Sequence, residues 1–238
     1  MARRSRKGRI PRSLLWLAPA LLLAAGAFYL ASLPEVEYLR RENPKTTAFI
    51  ELHKERMRAK GLKPSARMTW VPISSMSADL VHAVIISEDD MFYLHEGVDW
   101  EALREAMKYN LEKRRPARGA STITQQLARN LFLSPSKNPL RKAKEYLIAR
   151  RLEKSLSKRR ILELYLNVAE WGPGIYGAQE ACRTYYGKDA SEVGPEESAA
   201  LAAALPSPRK LNPSRPAGKR LQRRREVILE RMRKAGYL

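Results

Sequence analysis

An arginine-rich start followed by a long stretch without charge constrains this chain more than any other feature. Residues 1–12 carry Arg3, Arg4, Arg6, Lys7, Arg9 and Arg12 and no acid, and Ser13 to Pro34 contains no charged residue at all. Leu14 to Leu33 is 20 residues. As a helix it would span about 30 Å, the thickness of a bilayer's hydrocarbon core. The basic cluster before it predicts an N-terminus kept in the cytoplasm and everything after it delivered outside. Pro19 and Gly26 are both tolerated in membrane spans. Ala25-Gly26-Ala27 is an A-x-A-like cleavage site, so a cleaved signal peptide competes with an anchor. The apolar run continues past it through Phe28, Tyr29, Leu30 and Leu33, longer than a signal needs, and an uncleaved anchor is the expectation.

That topology decides what the charge means. A net charge of +20 calls for an anionic partner, whether nucleic acid, a membrane surface or a phosphate-bearing substrate. Delivery outside the cytoplasm argues against nucleic acid. The single cysteine, Cys182, excludes an internal disulfide and reads as a buried structural thiol among small apolar residues.

The 238 residues suffice for one sizeable domain plus an appendage. The expected organisation is a basic tail over 1–12, a transmembrane anchor over 13–33, a tether over 34–70 and a folded domain over 71–238. Helical signals dominate and strand signals are sparse. Helices are predicted near Thr47–Lys60 and over Ser77–Ser87, and over Trp100–Glu112 behind an Asp99 cap. Gly119 should open a helix running to Leu133, and others follow from about Pro139 to Leu156 and from a Ser157 cap to Asn167. Ile175–Tyr186 follows a Gly172-Pro173-Gly174 turn, and Pro195 begins an alanine-leucine helix to Leu205. The tail from Arg209 to Lys234 holds 11 Lys/Arg. It reads as a solvated basic helix or as a face resting on anionic lipid.

Three segments depart from simple amphipathic patterning. In the first, Glu88, Asp89 and Asp90 follow directly after an apolar helix. A helix C-terminus and two like charges should raise the pKa of an acid there, which poises a general base. His95 stands nearby in Phe92-Tyr93-Leu94-His95-Glu96-Gly97-Val98-Asp99. In the second segment, Gly119 to Leu131, the spacing sets Ile123, Leu127 and Leu131 on a buried stripe. Ser121, Gln125 and Arg129 fall on one polar face and Thr122, Gln126 and Asn130 on the next. Hydroxyls and amides so arranged suit the hydroxyls and acetamides of a sugar chain. The third is Lys137-Asn138-Pro139-Leu140-Arg141-Lys142-Ala143-Lys144-Glu145, four cations around one acid, as a phosphate site requires. No His or Cys spacing suggests a metal site.

Together these segments resemble the peptidoglycan glycosyltransferases, the module also found in bifunctional penicillin-binding proteins. The ED-x-x-F-x-x-H-x-G-x-D motif is met by Glu88, Asp89, Phe92, His95, Gly97 and Asp99. G-[AG]-S-T-I-T-Q-Q is met from Gly119 to Gln126, and R-K-x-x-E by Arg141, Lys142 and Glu145. I-L-E-x-Y-L-N is met from Ile161 to Asn167, and Leu205-Pro206-Ser207-Pro208 looks like a fifth motif. The resemblance covers about residues 70–213. Two positions depart from the pattern: Arg129 stands where Lys is usual, and Lys137 where Arg is usual.

The resemblance implies an all-α, lysozyme-like two-lobed helical domain behind a single N-terminal transmembrane helix, in the bacterial cytoplasmic (inner) membrane with the catalytic domain on its outer face. It implies transfer of a lipid-linked glycan from polyprenyl pyrophosphate to the 4-hydroxyl of lipid II, inverting the anomeric centre. Glu88 is then the base, and Glu145 orders the cations or assists departure. Lys137, Arg141, Lys144 and Arg129 would hold pyrophosphate, joined by Lys142. Asp89, Phe92, His95, Ser121, Thr122, Gln125 and Gln126 complete the substrate-binding set, while Glu163 and Asn167 shape the fold. No cofactor is required, and a divalent cation such as Mg at the pyrophosphate site stays open. Expected partners are lipid II, the nascent lipid-linked strand and membrane lipids, with other cell-wall synthesis proteins as candidates and no nucleic acid. Ser134-Pro135-Ser136-Lys137 and Ser155-Leu156-Ser157-Lys158 match S-x-x-K, but there is no K-[ST]-G, so a monofunctional polymerase is expected. The competing readings are a lytic hydrolase of related fold and a non-catalytic cationic scaffold.

Overall fold

The computed structural model describes residues 12–114, 119–136, 138–213 and 218–238, with side chains described from residue 19 onward except 22 and 25. The chain divides into two compact units, Met1–Glu35 and Val36–Leu238. In the first, α1 (Arg12–Ala31) contains Pro19 and exposes Leu21, Leu23 and Phe28. Among the described residues no helix is long and apolar enough to cross a membrane. The basic residues 1–11 lie outside the described residues.

The second unit is mostly helical, and side chains set most of its helix starts. Thr47 begins α2 (Ala48–Ala59) by accepting the Ile50 N–H at 3.1 Å. Next comes α3 (Ala78–Glu88), whose Leu80, Ala83, Val84, Ile85 and Ile86 are buried. Asp99 caps α4 (Trp100–Glu112) through the Ala102 N–H at 2.8 Å. Asn138 and Pro139 start α6 (Pro139–Ser155), and Ser157 caps α7 (Lys158–Val168) through the Arg160 N–H. These are the residue types that satisfy orphan N–H groups at a helix start. The series closes with α8 (Ala178–Tyr186), α9 (Pro195–Ala204) and α10 (Lys219–Lys234).

One helix begins later than its sequence predicts. Instead of opening at Gly119, α5 runs Ile123–Phe132. Thr122 accepts the Gln125 N–H at 3.2 Å, and the Gln125 side chain accepts the Thr122 N–H at 3.2 Å. This reciprocal capping box fixes the start at Ile123 and leaves Gly119–Ser121 as a loop.

A small sheet also stands where few strand signals were legible. Its strands are β1 (Arg67–Met68), β2 (Glu170–Gly172) and β3 (Ile175–Tyr176) in the order β1-β3-β2, with β1 parallel and β2 antiparallel to β3. The run predicted from Ile175 therefore splits into a strand and α8. Gly177 makes the break at φ +84°, and a Cβ there would sit 2.7 Å from the Asn167 carbonyl oxygen. Only glycine combines that φ with so close an approach.

Two helical groups form the interior. In one, α5 packs on α6, α7 and α2, and α7 contributes Ile161, Leu162, Leu164, Tyr165, Leu166 and Val168 to the core. In the other, α9 lies against both α3 and α10, its buried Ala199, Ala200, Ala202, Ala203 and Ala204 permitting close backbone approach. This second group gives the basic tail helix a buried face, while Lys219, Arg220, Arg223, Arg233 and Lys234 stay exposed. Leu221, Ile228, Leu229 and Met232 of α10 are buried, so the helix is amphipathic and folded onto the domain. Cys182 is fully buried, as expected, and burial pushes its thiol up to about 12.

Candidate active site

Glu88 is the last residue of α3, and its side chain is 9% exposed. Gln126 donates from Nε2 to Glu88 Oε2 at 3.0 Å. Ser87 Oγ and Arg224 Nη2 approach Oε1 at 3.3 Å and 3.4 Å. Burial raises the Glu88 pKa above the ordinary carboxyl value, against the opposing pull of Gln126, Arg224, Ser87 and Arg129. The direction is the one expected, but the cause differs. The two neighbouring acids are each compensated by partners, and desolvation dominates.

Those partners are specific. Asp89 receives His95 Nε2 at 2.9 Å and 3.1 Å and the Ile123 N–H at 2.8 Å. His95 Nδ1 accepts the Gly97 N–H at 3.1 Å, so in the neutral ring the proton sits on Nε2 and is donated to Asp89. Asp90 Oδ2 receives Arg231 Nη2 at 2.6 Å. Asp89 and His95 thus join the end of α3 to the start of α5, which sets Glu88 beside Gln126.

Gln126 is itself oriented from behind. The buried Tyr165 hydroxyl lies 3.0 Å from Gln126 Oε1. Burial and the nearby Glu88 charge hold the Tyr165 pKa well above its usual value. The phenol therefore stays protonated and donates to Oε1, which turns the NH₂ end of the amide toward Glu88.

Glu88 and Gln126 border a cavity of about 680 Å³ between the end of α3, the start of α5 and α10, lined also by Ser121, Arg129, Arg224 and Arg231 among others. The predicted polar face of α5 is not a single surface. Ser121 lies on the preceding loop, Gln125 and Asn130 are 5% exposed, and Gln125 closes the capping box. Gln126 and Arg129 are the α5 polar residues that reach the cavity. Thr122 also borders it, but its hydroxyl donates to the Gly97 carbonyl at 2.7 Å. Phe92 is fully buried, with the Lys158 ammonium 4.6 Å from its ring centre. Phe92, His95 and Gln125 lie outside this cavity's lining and hold the scaffold.

The third segment meets the other two at Ser121. Glu145 is fully buried and receives Arg141 Nη1 and Lys142 Nζ, each at 2.5 Å. Lys142 Nζ also donates to Ser121 Oγ at 2.9 Å, and the Ser121 carbonyl accepts from Gln126 Nε2 at 3.4 Å. Gln126 at the Ser121 carbonyl and Lys142 at the Ser121 hydroxyl thus tie Glu88 and Glu145 to the same residue. Lys144 sits half-buried on the same helix, and Lys137 lies outside the described residues. Among the described residues no group of three or more His, Cys, Asp or Glu side chains is placed to hold a metal ion.

Away from these groups, Glu163 and Asn167 lock α7 to the segment before α3. Asn167 accepts the Val71 N–H at 2.9 Å and donates to the Val71 carbonyl at 2.8 Å, while Glu163 accepts the Ile73 N–H at 2.9 Å. Sequence reasoning missed Arg224, Arg231 and Tyr165 as members of the site. The signal for the two arginines was present, since Leu221, Ile228, Leu229 and Met232 recur at helical spacing and imply a docked helix.

Comparison with known proteins fits this arrangement. The Transglycosylase family model matches residues 55–233. A biosynthetic peptidoglycan transglycosylase of Azoarcus sp. (strain BH72) is 47% identical over 222 residues, covering 91% of this chain and 94% of the relative. One of Aromatoleum aromaticum is 51% identical over 168 residues, 71% of this chain and 73% of the relative. One of Nitrosospira multiformis is 45% identical over 201 residues, 84% and 87% of the two chains.

Proposed function

Since the chain belongs to the transglycosylase family, we propose that it polymerises lipid II into peptidoglycan glycan strands at the cell envelope, with Glu88 as its base. The observation that carries this reading is a desolvated carboxylate and a cation cluster tied through Gln126 and Lys142 to one residue, Ser121. Inverting transfer needs both: a proton acceptor beside the nucleophile, and positive charge where the leaving group departs.

In the reaction, the 4-hydroxyl oxygen of the acceptor N-acetylglucosamine attacks the anomeric carbon of the lipid-linked donor. Glu88 takes the hydroxyl proton, the bond from that carbon to pyrophosphate breaks, and pyrophosphate leaves with the electron pair. Arg141, Lys142, Lys144 and Arg129 supply the charge that receives it, with Lys137 the fifth cation of this set. Glu145 is buried behind Arg141 and Lys142, so it fixes these cations rather than reacting. Ser121 and Gln126 border the cavity and position sugar; Asp89 and Thr122 hold the loop that presents them. No cofactor is assigned. A divalent cation such as Mg would arrive with the substrate's pyrophosphate, because the described residues offer no acidic or imidazole cluster for it.

The uncharged stretch 13–33 behind a basic tail supports a single-pass anchor in the cytoplasmic membrane, with the domain outside and membrane lipids and other wall-synthesis proteins as neighbours. The two helical groups support a lysozyme-like, two-lobed reading of the domain. A lytic hydrolase would use a raised carboxyl as an acid, and the Arg141–Lys142–Glu145 cluster would have no part in it.

The test is incubation of the purified full-length protein with labelled lipid II and separation of the products by gel. Wild type yields glycan strands. Glu88→Gln loses at least about 100-fold in turnover, the scale of a general base. More than a tenth of wild-type turnover in that variant would remove Glu88 from the role. Shortening of preformed glycan with no polymer from lipid II would favour the hydrolase.

A further inference from the structure

The C-terminal helix reaches the candidate base. Arg224 and Arg231 stand two turns apart on one face of α10 and border the Glu88 cavity. Arg231 pairs with Asp90, and Arg224 Nη2 lies 3.4 Å from Glu88 Oε1 and 3.3 Å from Ser87 Oγ. Buried Leu221, Ile228, Leu229 and Met232 hold the helix in place.

The two oxygens of Glu88 are not held alike. Oε2 has the Gln126 amide, which Tyr165 orients from the far side. Oε1 has Ser87 and Arg224. The Ser87 hydroxyl carries one proton and faces two acceptors at 3.3 Å, Glu88 Oε1 and the Ala202 carbonyl. Whenever that proton goes to Ala202, Arg224 remains as the donor at Oε1. The charged and titratable groups around Glu88 are Asp89 and Asp90 on its own side, Arg129 from α5, Tyr165 from α7, and Arg224 and Arg231 from α10. Asp90 is paired with Arg231 and Asp89 with His95. Among the described residues, Arg224 is the cation that contacts the Glu88 carboxylate directly.

We propose that Arg224 is a positioning residue for the glycosyl transfer, holding the outer oxygen of Glu88 so that the carboxylate stays ionised and aimed into the cavity. The proposal rests on Glu88 being the base. Burial works against an ionised Glu88, and the Arg224 charge is one of the groups that oppose burial. Without that charge the carboxyl must be brought to higher pH before it can accept the acceptor's proton. The effect falls on the fraction of active enzyme and leaves substrate contacts in place.

The experiment compares kcat and KM for labelled lipid II across the acid and neutral range in wild type, Arg224→Gln, Arg224→Lys and Arg223→Gln, all as full-length protein. Arg224→Gln is expected to move the acid limb of the kcat profile to higher pH. Its kcat on that limb should fall roughly threefold to tenfold, as for loss of one partly exposed charge, with KM unchanged and recovery as the pH rises. Arg224→Lys, which keeps the charge, should retain the wild-type acid limb. Arg223 is exposed on the same helix, and its variant should match wild type. Should Arg224→Gln fail to fold, Arg224→Met keeps the packed stem without the charge and makes the same comparison. A uniform loss of kcat at every pH, or a raised KM with an unmoved limb, would overturn the proposal by showing a merely structural or substrate-binding arginine. An active Glu88→Gln enzyme would overturn both this proposal and the assignment of the base. An inactive Glu88→Gln with superimposable Arg224→Gln and wild-type profiles would overturn this proposal alone.

Discussion

Replacing Glu145 by Gln separates a buried anchor from a reacting group. The carboxylate is fully buried and holds two cations that differ in their freedom, the Arg141 side chain at 15% exposed and that of Lys142 at 46%. Removing one partner of a buried ion pair costs about 3–5 kcal/mol, because the other charge is left without compensation. Lys142 can swing into water, so its half of the cluster contributes little, about 0–1 kcal/mol. Arg141 cannot do so as freely, though its Nε keeps a bond to the Ser136 carbonyl, and glutamine still offers it an oxygen. The expected loss is therefore about 2–4 kcal/mol, below the full buried-pair figure. For a chain of this length each kcal/mol shifts Tm by roughly 2–4 °C, so Tm should fall by roughly 4–16 °C. Thermal unfolding followed by circular dichroism measures it. Adding Arg141→Met to Glu145→Gln should recover part of the loss, because the stranded guanidinium is then gone. A Tm within about 2 °C of wild type together with abolished turnover would refute the reasoning and make Glu145 a group that touches the reaction.

Two further outcomes follow from the same geometry. Because burial raises the Glu88 pKa, the folded state holds the Glu88 proton more tightly than the unfolded chain. Stability from this group is fully present below the unfolded value near 4.5 and is lost as pH rises through the folded value. Glu88→Gln should therefore be more stable relative to wild type at neutral pH than at pH 4, measured by denaturant unfolding at both, and an equal difference at the two would contradict the burial argument. Asn167→Ala strips partners from both the N–H and the C=O of Val71. It should destabilise the domain by about 2–4 kcal/mol, the scale of two unsatisfied backbone groups, with turnover per folded molecule retained; a change in Tm of under about 2 °C would show that water replaces the amide.

Much of the scaffold was legible because its signals are local. Thr47, Asp99, Asn138 and Ser157 stand at helix starts because a short oxygen-bearing side chain reaches back to an N–H three residues on or fewer. The Arg141–Lys142–Glu145 cluster is local in the same sense, since i, i+3 and i, i+4 spacings on one helix put these side chains within reach before any tertiary contact forms. The start of α5 was local too, yet misread. Thr122 and Gln125 spell a capping box, but Gly119 invited an earlier opening, and that error placed Ser121 and Gln125 on a face that does not exist.

What no local signal carries is which distant groups surround Glu88. An acid at the end of α3, an amide-bearing helix after it and a basic, periodic tail can all be read along the chain. Tertiary packing made burial, more than the adjacent acids, the cause that raises the pKa of that carboxyl. It alone brought Tyr165 up 39 residues away to orient Gln126, and docked α10 so that Arg224 arrives 136 residues away in sequence at the same carboxylate. Desolvation depends on everything packed around a group, and a charge pair depends on separation in space. Neither quantity is a function of neighbours along the chain, so both waited for α3, α9 and α10 to pack together.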